Sequence, residues 1–310
     1  MNRIYDPATL LESLPHRFEN VVLDRMERWE EDGMPAGAGE LTIRAGDPAG
    51  RDLFLVRGPG GPVYYPYILI EFYALSAIIL MEEKVRAGLT AVFSQIRKVE
   101  MTGTVPAGAA IRGTVRLKSI TSGFYRFQGA MSADGRDFAS LEIMAYGVDF
   151  KQAAPSREGD MKKVPVPPAM NEGPVDRSLF AFKDPGLVFA DRIHSVDAAN
   201  RRLVTAFTYP PTHRLTRGHF PGNPIMMGVC QVAMVSDAVQ LAAAAFGGTG
   251  RVQADAEIMR TDGTLVCEVK GLQLDIASPG ALPALAAVRG VAFRDLVRPG
   301  TGLFCAVTLV

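Results

Sequence analysis

The sequence predicts an α+β fold built from two sister halves, each a curved antiparallel sheet wrapped round one long buried helix. Three observations predict it. A decapeptide occurs twice, as Arg57-Gly-Pro-Gly-Gly-Pro-Val-Tyr-Tyr-Pro and as His219-Phe-Pro-Gly-Asn-Pro-Ile-Met-Met-Gly. Each copy leads straight into an apolar stretch of helical length, Ile68 to Met81 and Val229 to Ala245. Each half also carries two alternating segments about an Asp-Gly turn, at Asp134-Gly135 and at Asp262-Gly263, the pattern of a β-hairpin.

Both helical stretches are apolar nearly all round, which predicts buried central helices rather than amphipathic surface ones. The second runs into Gly247-Gly248, a stop signal. After the first helix, Gly88 through Leu117 matches Gly280 through Leu309. In the first half the hairpin, about Gly123 to Phe150, follows this shared segment, whereas in the second half Arg251 to Ile276 precedes it. This order predicts a local permutation, with insertion plus truncation as the simpler alternative. Runs such as Ala110–Leu117 and Phe138–Tyr146 carry the β-branched and aromatic residues of strands.

The segment from about Gln152 to Ser178 holds Pro155, Pro165, Pro167, Pro168 and Pro174 and has little apolar periodicity, which predicts an extended linker. The expected organisation is residues 1–151, a linker over 152–178, and residues 179–310. At 310 residues the chain can hold two domains with a core each. Hydrophobic residues make up 48% and charged residues 21%, an ordinary globular profile. Lys plus Arg and Asp plus Glu both number 33, so no global field favours nucleic acid or an anionic membrane. The Ile68 to Met81 stretch is too short to span a bilayer and contains Glu71, and the first residues lack an apolar signal core, so the expected location is the cytoplasm. Cys230, Cys267 and Cys305 sit in apolar contexts with no CxxC or His/Cys cluster, so buried free thiols are expected and no metal.

The two decapeptides have lost different parts. The later copy keeps a histidine but has Ala233 fourteen residues on; the earlier has Arg57 in its place but keeps Glu71 fourteen residues on. An acid/base site needs both groups, so a complete site can be assembled only across the halves.

The sequence His219-Phe-Pro-Gly-Asn-Pro-Ile-Met-Met-Gly-Val resembles the signature of the β-hydroxyacyl-acyl-carrier-protein dehydratases, a hotdog-fold family. Leu14-Pro-His-Arg-Phe, Val22-Leu-Asp-Arg, Ile70-Glu71 and Arg97 to Gly108 are similar to further parts of that family, and the second half is similar from about Leu187 to Val310. Members are dimers of single hotdogs whose sites take the histidine from one subunit and the carboxylate from the other. The resemblance therefore implies a double hotdog, a pseudo-dimer within one chain, with further homo-oligomer formation open. One composite site would be intact, joining His219 as base, Glu71 as acid or water holder and the Gly228 N–H as oxyanion donor. Its mirror image would join Arg57, Ala233 and Pro66, which has no N–H, and should be dead. The Ile225 carbonyl would hold the His219 ring. An acyl tunnel lined by Phe72, Tyr64, Tyr65, Phe220 and Met226 is expected.

The implied reaction is dehydration of a 3-hydroxyacyl thioester carried by acyl carrier protein or coenzyme A, in fatty-acid or polyketide-type synthesis, with no cofactor. A non-catalytic hotdog that binds an acyl carrier, or a hotdog thioesterase, are the rivals. Leu75 stands where the family has a glutamine, and Met227 where it has a proline. His16 is expected to be structural, His213 a surface residue, Cys230 a packing residue and Arg57 a structural arginine. The Gly58–Pro62 loop lacks the Gly-Lys-Ser/Thr ending of a phosphate loop. Arg214, Arg217, Arg289, Arg294 and Arg298 are read as solvated charge or as contacts for an acidic carrier.

Overall fold

The computed structural model describes residues 2–81, 88–149 and 161–310. The first lobe runs β1 (Arg3–Tyr5), α1 (Pro7–Ser13), β2 (Arg25–Glu31), β3 (Met34–Leu41), β4 (Leu55–Gly58), β5 (Gly61–Tyr64), α2 (Pro66–Leu80), β6 (Thr90–Met101), β7 (Ile111–Thr121), β8 (Phe124–Ala133) and β9 (Arg136–Val148). The second runs β10 (Gly173–Pro174), β11 (Arg192–Asp197), β12 (Arg202–Thr208), α3 (Gly228–Phe246), β13 (Gly250–Arg260), β14 (Leu265–Ile276), β15 (Ala284–Val288), β16 (Gly290–Phe293) and β17 (Gly302–Leu309).

The central helices form where the apolar runs predict them. Pro66 opens α2 at a position where its missing N–H costs nothing. Gly247 closes α3 in the left-handed region at φ 76°, its N–H donating to the Ala243 carbonyl. Every α2 residue from Tyr67 to Leu80 is buried, and α3 is buried from Val229 to Ala243. By length and composition α3, at 19 residues, matches a membrane span better than Ile68 to Met81 does, but it forms the core of its lobe. Helix α2 packs on β2, β3 and β7, α3 on β12, β13, β14 and β17, and the two helices pack on each other.

Fifteen strands form one sheet in the order β1-β2-β3-β7-β8-β9-β6-β15-β14-β13-β17-β12-β11-β10, with β16 pairing β14 and β6. Reading inward from either side, β3-β7-β8-β9-β6 corresponds to β12-β17-β13-β14-β15. The β13–β14 hairpin thus fills the place that β8–β9 fills in the first lobe, although it precedes its shared strand in the chain. This is the permutation. At the Asp134-Gly135 turn both residues have positive φ, 48° and 79°, as a tight two-residue hairpin requires. The lobes join where β6 pairs with β15 (Val99 opposite Val288) and β16 (Ile96 opposite Val291).

Residues 152–160 of the expected linker lie outside the described residues. From residue 161 the chain lies along the second lobe. Val164 N–H donates to the Gly263 carbonyl, Lys163 meets Asp262 at 2.7 Å, and β10 pairs with β11.

Candidate active site

Two lobes meeting helix to helix bring Glu71 and His219 together. Glu71 lies on α2 and His219 follows the 3-10 turn Arg214–Gly218; they are 2% and 7% exposed. One ligating atom each of His16, Glu71 and His219 falls within a 4.8 Å cluster. His219 Nδ1 lies 3.1 Å from the Ile225 carbonyl, and the Ile225 N–H donates back to the His219 carbonyl at 2.8 Å. A carbonyl only accepts, so Nδ1 carries the proton and Nε2 keeps its lone pair.

Gly228 is the first residue of α3, where N–H groups have no acceptor within the helix. Its N-cap, Met227, has no side-chain oxygen to satisfy them, so the helix start is available to an anionic atom. A Cβ at 228 would stand 3.0 Å from the Phe293 ring, a close approach that suits glycine. A cavity of about 50 Å³ is lined by Glu71, His219 and Gly228, and by Phe220, Ile225 and Met226. His16, Gln231 and Asp295 line it as well.

Burial sets the charge state. It pushes the Glu71 carboxyl up to about 8 and pulls the His219 imidazole down to about 4, against the opposing effect of the Ile225 carbonyl. His16 is likewise driven well below its ordinary range, by burial first and then by proximity to His219 and Arg17. At neutral pH the site therefore holds a protonated carboxyl and neutral imidazoles: an acid and a base side by side. The 3.7 Å approach of His16 Nε2 to Glu71 Oε1 is accordingly a contact between neutral groups rather than an ion pair.

Three expected tunnel residues lie elsewhere. The Tyr64 hydroxyl accepts from Ile43 N–H and donates to the Ala109 carbonyl within the first lobe. Tyr65 faces the mirror-image site. Phe72, one step of about 100° round α2 from Glu71, turns to its own sheet against Gly39 and Gly113. His16, read from sequence as structural, instead borders the cavity between the acid and the base. Its aromatic contacts are His219, at 5.0 Å between ring centres, and Phe220, at 4.9 Å. Gln231, on α3, was also missed; its buried Oε1, like His16 Nδ1 and Glu71 Oε2, has no partner among the described residues. His213 is half-buried rather than a free surface residue. It caps the Arg214–Gly218 turn and meets the Gly186 carbonyl at 2.8 Å.

The mirror-image position is built differently. Ala233, Tyr65, Met227 and Cys230 line a cavity of only about 10 Å³. Arg57 is exposed, and its N–H donates to the Phe182 carbonyl. Beside this cavity a wholly buried pair, Lys183 and Asp237, meets at 2.5 Å, and Lys183 also reaches the Tyr65 hydroxyl at 3.3 Å. Cys230 is buried and its thiol pushed far up, which fits packing and not nucleophilic attack. Cys267 and Cys305 are likewise buried free thiols.

Among the described residues, His16, Glu71 and His219 are the set that could offer ligands to a metal. A carboxyl held neutral must ionise before it binds a metal.

Known proteins resemble this chain in sequence and in fold. Residues 195–258, which include the histidine motif and the whole of α3, match the family model described as ApeI-like, ApeI dehydratase. A 3-hydroxyacyl-(acyl-carrier-protein) dehydratase FabZ of Caulobacter vibrioides is 25% identical over 147 residues, 46% of this chain and 89% of the relative. The FabZ of Caldicellulosiruptor saccharolyticus is 28% identical over 142 residues, 46% of this chain and 97% of the relative. In fold, the dehydratase domain of a mycocerosic acid synthase-like polyketide synthase matches 84% of this chain and 97% of its own length, with a TM-score of 0.53 at 11% identity. The chain is a double hotdog, and its similarities in sequence lie with the hotdog dehydratases.

Proposed function

We propose that this double hotdog dehydrates a 3-hydroxyacyl thioester to the trans-2-enoyl thioester, through a single site shared by its two lobes. The observation that carries the reading is the meeting of Glu71 and His219 from opposite lobes, each buried in the neutral form that the reaction needs. His219 Nε2 takes the proton from the carbon beside the thioester carbonyl. The negative charge that develops on the thioester oxygen is stabilised by the Gly228 N–H and the positive end of α3. Glu71 gives its proton to the hydroxyl on the next carbon, the C–O bond breaks, a C=C bond forms and water leaves. The step ends with an imidazolium and a carboxylate close together, and proton return from His219 to Glu71 restores the start.

The substrate is proposed to arrive on phosphopantetheine. Phe220 lines both the cavity and an open groove of about 660 Å³ bordered by Arg214 and Arg217. A thioester arm lying past Phe220 would place its phosphate near these arginines. Buried Glu19 holds Arg217 at 2.8 Å and lies 3.8 Å from Arg214, which fixes them at the mouth. An acyl carrier protein fits this mouth better than a free thioester because acidic carriers present extended negative surface.

The test is hydration of a crotonyl thioester, on coenzyme A and on a carrier protein, followed as loss of enoyl absorbance. The wild type should turn it over, and His219→Ala should abolish turnover while the fold is retained. Activity within a few-fold of wild type in that variant overturns the assignment. Release of free thiol without hydration would mark a thioesterase.

A further inference from the structure

We propose that His16 is the positioning residue of the acid: its imidazole is the hydrogen-bond acceptor that aims the Glu71 carboxyl into the cavity. This rests on the dehydratase reading of Glu71 and adds a third residue to it. His16 comes from the loop after α1, far from the repeated decapeptides. It is 1% exposed, and its Nε2 stands 3.7 Å from Glu71 Oε1. That separation is about 1 Å longer than a hydrogen bond, and the proposal is that the carboxyl turns to close it. The other atoms of the pair, Glu71 Oε2 and His16 Nδ1, are buried without a partner among the described residues.

The loop is built to hold the ring still. The Arg17 guanidinium donates to the carbonyls of Leu14 and His16 at 2.7 and 2.6 Å, closing the backbone around it. The same loop is clamped to the segment that carries the base. Arg17 N–H donates to the Gly218 carbonyl at 3.0 Å, and Asn20 Nδ2 to the Leu215 carbonyl at 3.1 Å. A Cβ on Gly218 would stand 2.2 Å from the Arg17 carbonyl, so glycine is needed where the lobes touch. The His16 loop therefore positions acid and base against each other.

The second lobe gives an independent internal comparison. Asp24 and Asp191 occupy equivalent places: each side chain accepts from a threonine N–H, Thr42 at 2.7 Å and Thr208 at 2.8 Å, and each N–H donates to the neighbouring strand. Counting back eight residues from these aspartates reaches His16 in one lobe and Lys183 in the other. Lys183 also sets its nitrogen on an acid of its own lobe's central helix, Asp237, one turn beyond the Ala233 that corresponds to Glu71. Both lobes thus use this loop position to present a nitrogen to a helix acid. Beside the mirror-image position the two are a closed ion pair; at the Glu71 cavity a neutral imidazole leaves the carboxyl its proton.

Two readouts test this without depending on each other. The first is crotonyl-thioester hydration by wild type, His16→Phe and His16→Gln. The phenylalanine variant should lose about 10- to 100-fold in kcat with KM nearly unchanged, the size expected when a catalytic group is misplaced by about 1 Å. Glutamine, which keeps an acceptor of similar reach, should recover most of that loss. A folded phenylalanine variant with kcat within about twofold of wild type, or a glutamine variant no better than phenylalanine, overturns the proposal. The second readout needs neither turnover nor a tolerated variant. The protonated-carboxyl infrared band of wild type, assigned by its loss in Glu71→Gln, should lie at a hydrogen-bonded position, and a free-carboxyl position overturns the proposal. An inactive wild type with a hydrogen-bonded Glu71 band would instead count against the dehydratase reading alone.

Discussion

Gly228 and Pro66 hold the same first position on the two central helices, and of the two only Gly228 has an N–H to offer. The lobe that opens with proline shows that this position tolerates it. Gly228→Pro should therefore leave a helix start resembling that of α2, while Phe293 shifts to admit the ring. It should lower kcat by about 100- to 1000-fold, the usual loss of one oxyanion donor. Circular dichroism and steady-state hydration check both halves of the expectation.

The pH dependence follows from the two buried groups. With Glu71 at about 8 and His219 at about 4, kcat/KM should be level between these values and fall on the alkaline side as Glu71 ionises. An alkaline limb that persists unchanged in residual Glu71→Gln activity would assign it to another group.

Stability should carry the same signature. The folded chain keeps a Glu71 proton that the unfolded chain releases, so this group's contribution falls as pH rises from 4.5 to about 8. His219 acts in the opposite sense, refusing a proton that the unfolded chain takes, so its contribution falls as pH drops from 6.5 to about 4. Between 4.5 and 6.5 the slopes oppose, and above 6.5 the Glu71 slope of this pair remains. Urea midpoints measured at pH 6.5 and 8 should draw together in Glu71→Gln.

The mirror-image position makes a separate prediction. Lys183→Met or Asp237→Leu alone leaves its partner charged and buried, at a cost of about 3–5 kcal/mol. The double variant should recover most of that loss. Because neither side chain borders the Glu71 cavity, kcat per folded molecule should stay at the wild-type level in all three.

Much of this was legible in the sequence for a physical reason: a helix run and a turn are local. The repeat, the helix limits and the Asp-Gly turns could be read from neighbouring residues, and the complementary losses at 57 and 233, with 219 and 71 kept, pointed to a shared site. His16 and Gln231 were not legible because what matters about them is which lobe faces them. Tyr64, Tyr65 and Phe72 were misplaced because closeness to Glu71 along the chain is not closeness in space. Phe72 follows Glu71 directly yet points to another wall. One usable signal was overlooked: aligning the Asp-Arg pairs at 24–25 and 191–192 sets His16 over Lys183 and marks the position in both halves.

The ladder that joins β6 to β15 and β16 leads to an expectation about dilution. An enzyme that borrows half its machinery from a separate subunit loses activity when scarce, as the subunits part. Here His219 and Glu71, the proposed base and acid, are tethered on one covalent strand and stitched through a common sheet, so specific activity should hold constant down to the lowest amounts that can be assayed.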